Sequence, residues 1–158
     1  MTGPAVKQVA TFEDGRAKVD VKRYIKVEKI PGGLIEDSKV LNGVMFNKDV
    51  VHPKMSRRIE KPRVVLMDCG LEYKKGESVT NMEFSAATDF TAALQMEEEQ
   101  IKTMVNDVLK LKPTLVVTEK GCSELASYLL AKEGVSVIRR VKKTDNNRSG
   151  HWCHLIQL

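Results

Sequence analysis

Residues 113–144 read PTLVVTEKGCSELASYLLAKEGVSVIRRVKKT, and the fold follows from this stretch. Leu115-Val116-Val117 is a short β-branched apolar run, the pattern of a strand covered on both faces. Lys120-Gly121 turns the chain, and Ser123 is placed to N-cap a helix whose first turn carries Glu124, where the helix dipole favours negative charge. Leu125, Ala126, Leu129 and Leu130 recur at helical spacing as one apolar stripe; Glu124, Ser127, Tyr128, Ala131 and Lys132 are expected on the opposite, outward side. Gly134 ends the helix as a left-handed cap. Val135, Val137 and Ile138 then start a second strand, which a helical crossover of this length makes parallel to the first. The outward helix face carries no nucleophile or acid–base pair. It reads as a surface for holding something.

Outward from this βαβ unit, the helix predicted from about Gln95 to Leu111 shows the clearest amphipathic stripe: Ile101, Met104, Val105, Val108 and Leu109. Glu97, Glu98 and Glu99 load its N-terminal half, and Pro113 stops it. With no histidine at helical spacing, the glutamates read as a solvated, dipole-matched face rather than a metal or acid–base site. Residues 72–91 are polar with isolated apolar positions, too sparse for a core element and too patterned for a linker; they read as a projecting excursion, with Ser85 capping a short helix through Leu94. Val64 to Met67 is a buried strand. The loop before it, residues 48–63, carries Lys54, Arg57, Arg58, Lys61 and Arg63 around His52 and Met55. An adaptable methionine among cationic stems suits a recognition loop, whereas composition alone favours a solvated connection between strands. His52 has no partner at ligand spacing, so a metal is not expected there. Residues 38–47 read as a strand with a turn at Asn42-Gly43. Residues 17–30 (AKVDVKRYIKVEKI) alternate as an edge strand, ended by Pro31-Gly32-Gly33.

Composition sets limits. The chain of 158 residues fits one domain with a core of its own. Hydrophobic content of 42% with 30% charged residues is ordinary for a soluble globular protein. The net charge of +5 hints at acidic partners but is modest for this length. Three cysteines, Cys69, Cys122 and Cys153, without paired spacing point to a reducing compartment. No apolar run is long enough to span a bilayer, so a cytoplasmic location and no membrane partner are expected. The basic run Arg139 to Lys143 suggests phosphate contacts, but aromatics for base stacking are missing beside it. In the final segment His151, Cys153 and His154 are too crowded for a closed metal site.

Read together, several words carry a family likeness: KVEKIPGG (26–33), GVMFNKDVVHPKMSRRIEKPRVVLMDCGLEYKKGES (43–78), QMEEEQI (95–101), VVTEKG (116–121) and IRRVKKTDNNR (138–148). They resemble the apical domain of group II chaperonin subunits, and LEYKKGES and RRVKKTDNNR are most similar to the gamma subunits of the eukaryotic cytosolic chaperonin, TRiC/CCT. Two places depart: Gly121-Cys122-Ser123-Glu124 stands where the family has Gly-Ile-Ser-Asp, and SGHWCHLIQL after Arg148 does not match.

The resemblance implies an α/β apical domain, a β-sheet core flanked by helices with a projecting helical lid. Residues 1–33 would be a leader and connector strand toward an intermediate domain, 34–148 the apical domain with a lid protrusion at about 74–98, and 149–158 a disordered or cloning-derived tail. It implies binding of non-native protein clients, actin and tubulin among them, between Pro53, Lys54, Met55, Ser56, Arg57 and Arg58 of the loop and Glu124, Ser127, Tyr128, Ala131 and Lys132 of the helix. Met82, Phe84, Phe90 and Leu94 would belong to the lid. The partners implied are other subunits of a hetero-oligomeric double ring. ATP and magnesium would serve the full-length subunit, with no cofactor, catalytic residue or metal in this stretch, because a Gly-rich phosphate cradle is missing. A basic βαβ nucleic-acid-binding module is the second reading.

Overall fold

The computed structural model describes residues 10–13, 16–45, 47–74, 87–152 and 156–157. Its centre is a parallel sheet built by two successive strand–helix–strand crossovers. β3 (Val64–Met67) leads through α2 (Ala87–Lys110) to β4 (Leu115–Thr118), which leads through α3 (Glu124–Lys132) to β5 (Ser136–Ile138). The strand order is β5-β4-β3-β6, with β6 (Ile156–Gln157) parallel to β3 on its far side. The β4–α3–β5 unit therefore forms as its sequence predicts, in the register Leu115↔Ser136, Val116↔Val137, Val117↔Ile138.

The two faces of the sheet are unequal. Val65, Met67, Val116 and Val137 point to one side, where Ile101, Val105 and Val108 of α2 and Ala126 and Leu130 of α3 cover them. Leu66 and Val117 point to the other and meet Val141, a much thinner layer. α4 (Lys143–Trp152) follows Val141, and its Asp145, Asn146, Arg148 and Ser149 are all buried. Asp145 accepts a hydrogen bond from Arg148 Nη2 and lies 3.7 Å from Lys26 Nζ, while Arg148 Nη1 donates to the Arg23 carbonyl at 3.2 Å. A buried carboxylate persists only with such partners.

The helix ends obey their local chemistry. Ser123 Oγ accepts from the Ala126 amide at 3.1 Å, the expected N-cap. Gly134 takes φ +74°, and the Gly134 and Val135 amides return to the Ala131 and Leu130 carbonyls. The predicted stripe of α2 is also present, with Ile101, Val105 and Val108 buried and Met104 and Leu109 half-buried. Glu98 and Glu99 stand exposed, Glu98 pairing with Lys102 at 3.3 Å.

Other expectations are corrected. Instead of a short helix followed by a second one, α2 is continuous from Ala87, because residues 91–96 contain no glycine or proline to break it. The alternating segment 17–30 is not one strand. β2 (Arg16–Val19) pairs antiparallel with β1 (Ala10–Glu13), and Asp20 then caps the short helix α1 (Val21–Tyr24), its Oδ1 accepting from the Arg23 amide at 3.1 Å. The cap redirects the chain before Ile25. Residues 38–45 form no strand: among the described residues no neighbouring strand offers them a ladder, and Val40, Leu41 and Met45 remain exposed. Where the sequence reading ends the matching chain at Arg148, α4 continues, with Ser149 Oγ donating to the Asp145 carbonyl at 2.9 Å.

Candidate functional site

The face singled out in the sequence belongs to α3 and the loop at residues 51–58, and both are anchored to β5. α3 enters β5 directly through the Gly134 turn. The loop runs along the outer edge of β5: the Val51 amide donates to the Val137 carbonyl at 3.0 Å, and Ser136 Oγ donates to the Ser56 carbonyl at 2.8 Å. Met55 enters the same core layer as Ala126 and Leu130, with Val51, Leu129 and Ala131 packed at its margin.

On α3, Glu124, Tyr128 and Lys132 are exposed as expected, Tyr128 with 54% of its surface open, while Ala131 is half-buried. Ser127 is not outward. It is 4% exposed, its Oγ donating to the Glu124 carbonyl at 2.8 Å. α3 packs against α2 as well as β5, so its buried arc is wider than one stripe, and a small hydroxyl bonded to its own helix fits within it. On the loop, Pro53, Lys54, Ser56, Arg57 and Arg58 are exposed, but Met55 is buried at 6%. An unbranched thioether fills the gap at a strand edge well, and here it is an anchor rather than a contact for a partner. Arg57 pairs with Asp49 at 3.0 Å and Arg58 with Glu60 at 3.5 Å, while Ser56 Oγ donates to the Arg58 carbonyl. These exposed pairs orient the side chains at little energetic gain. The links of the loop to Ser136 and Val137 escaped the sequence reading because those partners are remote in the chain, whereas the Asp49–Arg57 pair is local and carried no pattern that marked it.

Of the lid residues, Leu94 is exposed on α2 and Phe90 lies in the same helix. Met82 and Phe84 lie outside the described residues.

The rim at the C-terminal ends of the strands holds Cys122, paired across to Leu71 by a bridge. Burial pushes its thiol up from 9.0 to about 11, against the lowering influence of Arg139, with Glu72 adding to the rise. Such a thiol is inert at neutral pH. A cavity of about 330 Å3 between the end of β3 and α2 has almost wholly apolar walls, Met67, Leu71, Met104, Val108 and Leu111 among them, with Cys69 beside it. Among the described residues no group of three or more His, Cys, Asp or Glu could hold a metal ion, and no helix is long and apolar enough to cross a membrane. The exposed side of α3 thus carries a hydroxylated aromatic, Tyr128, between the charged Glu124 and Lys132.

The sequence profile of the TCP-1/cpn60 chaperonin family matches residues 1–154. The chain belongs to that family. It is 62% identical over 146 residues to T-complex protein 1 subunit gamma of Oxytricha granulifera, covering 91% of this chain and 26% of the relative. It is 56% identical over 149 residues to the subunit of the same name from Homo sapiens, covering 94% and 27%. Among solved structures, the open-state monomer of a group II chaperonin from Methanococcoides burtonii superposes with a TM-score of 0.69 at 27% identity, covering 98% of this chain and 33% of that one. This chaperonin chain thus spans about a quarter of the length of the curated relatives it matches.

Proposed function

We propose that this chain is the client-recognition, apical domain of a chaperonin subunit of the gamma type. It holds non-native polypeptides, actin and tubulin among them by family likeness, on the open side of α3 and the adjoining loop. The contact residues are Glu124, Tyr128, Ala131 and Lys132 with Pro53, Lys54, Ser56, Arg57 and Arg58; Met55 and Ser127 support them from below. The observation that carries this reading is Tyr128, 54% exposed on a helix whose other side is locked against sheet and α2. An amphipathic ring standing open on a rigid support is what a polypeptide-binding face needs.

The face is small. At about 25 cal/mol per Å2, a few hundred Å2 of apolar contact gives several kcal/mol before ordering costs are subtracted. A single domain therefore binds clients weakly, and several domains around a hetero-oligomeric double ring gain through effective concentration. The segment at about 74–98 would serve as a built-in lid. ATP and magnesium would act in the full-length cytoplasmic subunit.

The test is photo-crosslinking of an unfolded client to probes placed singly at Tyr128, Arg58 and, as remote controls, Lys102 and Lys110. Labelling concentrated at Tyr128 and Arg58 supports the reading. Equal labelling at all four positions sinks it.

A further inference from the structure

The basic run after β5 has no part in the α3 face, and the fold gathers it with a second loop. The Arg140 amide donates to the Lys120 carbonyl at 3.0 Å, the Val141 amide to the Thr118 carbonyl at 3.0 Å, and Arg139 Nη1 to the Cys122 carbonyl at 3.4 Å. The Asp145 and Asn146 amides close the turn onto the Lys142 carbonyl. Lys120, Arg139, Arg140, Lys142 and Lys143 thereby share one rim, at the C-terminal ends of β4 and β5. All five are exposed, and among the described residues none of them forms an ion pair.

The neighbouring acids offset only part of this charge. Glu119 accepts from Asn146 Nδ2 at 2.8 Å, and Asp145 is buried with Arg148. Glu72 lies within the rim, its carboxylate against Gly121 and close enough to Cys122 to raise the thiol, and exposed Glu124 opens α3 beside it. Arg140 moreover holds φ +55°, a left-handed conformation that glycine would adopt freely and arginine adopts under strain. The hydrogen bonds on either side hold this conformation and place a long cation at the turn of the loop.

We propose that this rim is a docking site for an acidic, extended peptide segment. Arginine forks bind carboxylates in pairs, and the lysines add point charges beside them. A nucleic acid fits less well: residues 118–124 and 139–149 contain no aromatic side chain on which a base could stack, and two short loops offer no long track for a phosphate backbone. Being formed from exposed charges, the contact is modest and falls with salt. The rim meets the start of α3, but none of its five cations is a residue of the proposed client face, so either can fail with the other intact.

The experiment is fluorescence anisotropy with the 158-residue chain and three labelled probes: an oligo-glutamate peptide, an oligo-glutamine peptide of equal length, and a single-stranded RNA of equal charge. The oligo-glutamate is expected to bind in low salt and the oligo-glutamine not at all. The triple variant Arg140→Gln, Lys142→Gln, Lys143→Gln should weaken oligo-glutamate binding about tenfold with its thermal midpoint retained, whereas Lys102→Gln with Lys110→Gln on α2 should leave it unchanged. Tighter binding of the RNA than of the oligo-glutamate overturns the proposal in favour of a nucleic-acid site. Equal loss in the two variants, or no oligo-glutamate binding, overturns it outright.

Discussion

The sulfur of Met55 lies 3.3 Å from the backbone nitrogen of Val137, closing the edge of β5 with a side chain 82 residues earlier in the chain. β5 would otherwise present an open edge, and the thioether accepts weakly while its methylenes fill the core layer beside Leu130. Met55→Ala is therefore expected to cost roughly 2–4 kcal/mol of stability. Arg57→Ala removes an exposed side chain paired with a likewise exposed Asp49 and should change stability by less than about 0.5 kcal/mol. Urea unfolding of both variants checks the contrast.

A second prediction concerns the carboxylate under α4. Asp145→Ala strands the Arg148 guanidinium in a buried site and is expected to destabilise by about 3 kcal/mol or more. Replacing both, Asp145→Ala with Arg148→Met, should recover most of the loss, because no uncompensated charge remains. The double-mutant cycle measures the coupling directly.

The Cys122 thiol gives a pH dependence with a definite sign. Its folded pKa, about 11, lies above the ordinary 9.0, so the neutral thiol is favoured in the native state. The contribution is complete below pH 9.0 and is lost as pH rises through about 11. Cys122→Ala should flatten the alkaline fall in thermal midpoint. At neutral pH a maleimide is expected to label half-buried Cys69 well before Cys122, read by peptide mass mapping.

Ser123→Ala removes the acceptor for the Ala126 amide and should cost about 1 kcal/mol, whereas Ser123→Gly should cost only a few tenths. Thermal denaturation of the pair distinguishes a lost cap from a lost packing contact.

For the proposed client face, Tyr128→Ala is expected to reduce capture of an unfolded polypeptide while leaving the unfolding midpoint almost unchanged, since the ring is mostly open to solvent. Ser127→Tyr should lower the midpoint instead, because no space exists beneath the helix for an added ring.

Local signals in the sequence carried far. The strands around Val65, Val116 and Val137, the Ser123 cap, the Gly134 stop and the α2 stripe all follow from neighbours within a few residues, where periodicity and capping act. What was not legible depends on remote contacts. Ser127 reads as outward on a helical wheel that knows only the sheet, and α2 widens the buried arc. Met55 reads as a loop side chain, and only β5, folded beside it, makes it core. The alternation in residues 17–30 is genuine, but one aspartate at position 20 caps a helical turn and overrides it.

The lopsided sheet has a dynamic consequence. On one side two helices clamp the strands; on the other, Leu66, Val117 and Val141 form a slim apolar layer, and α4, which follows Val141, is buried through polar and charged groups. Transient opening will begin at α4, whose amides should exchange with deuterium sooner than those of β4 and of α2 where it packs on the strands, so that the molecule breathes through its polar side while the clamped one keeps its shape.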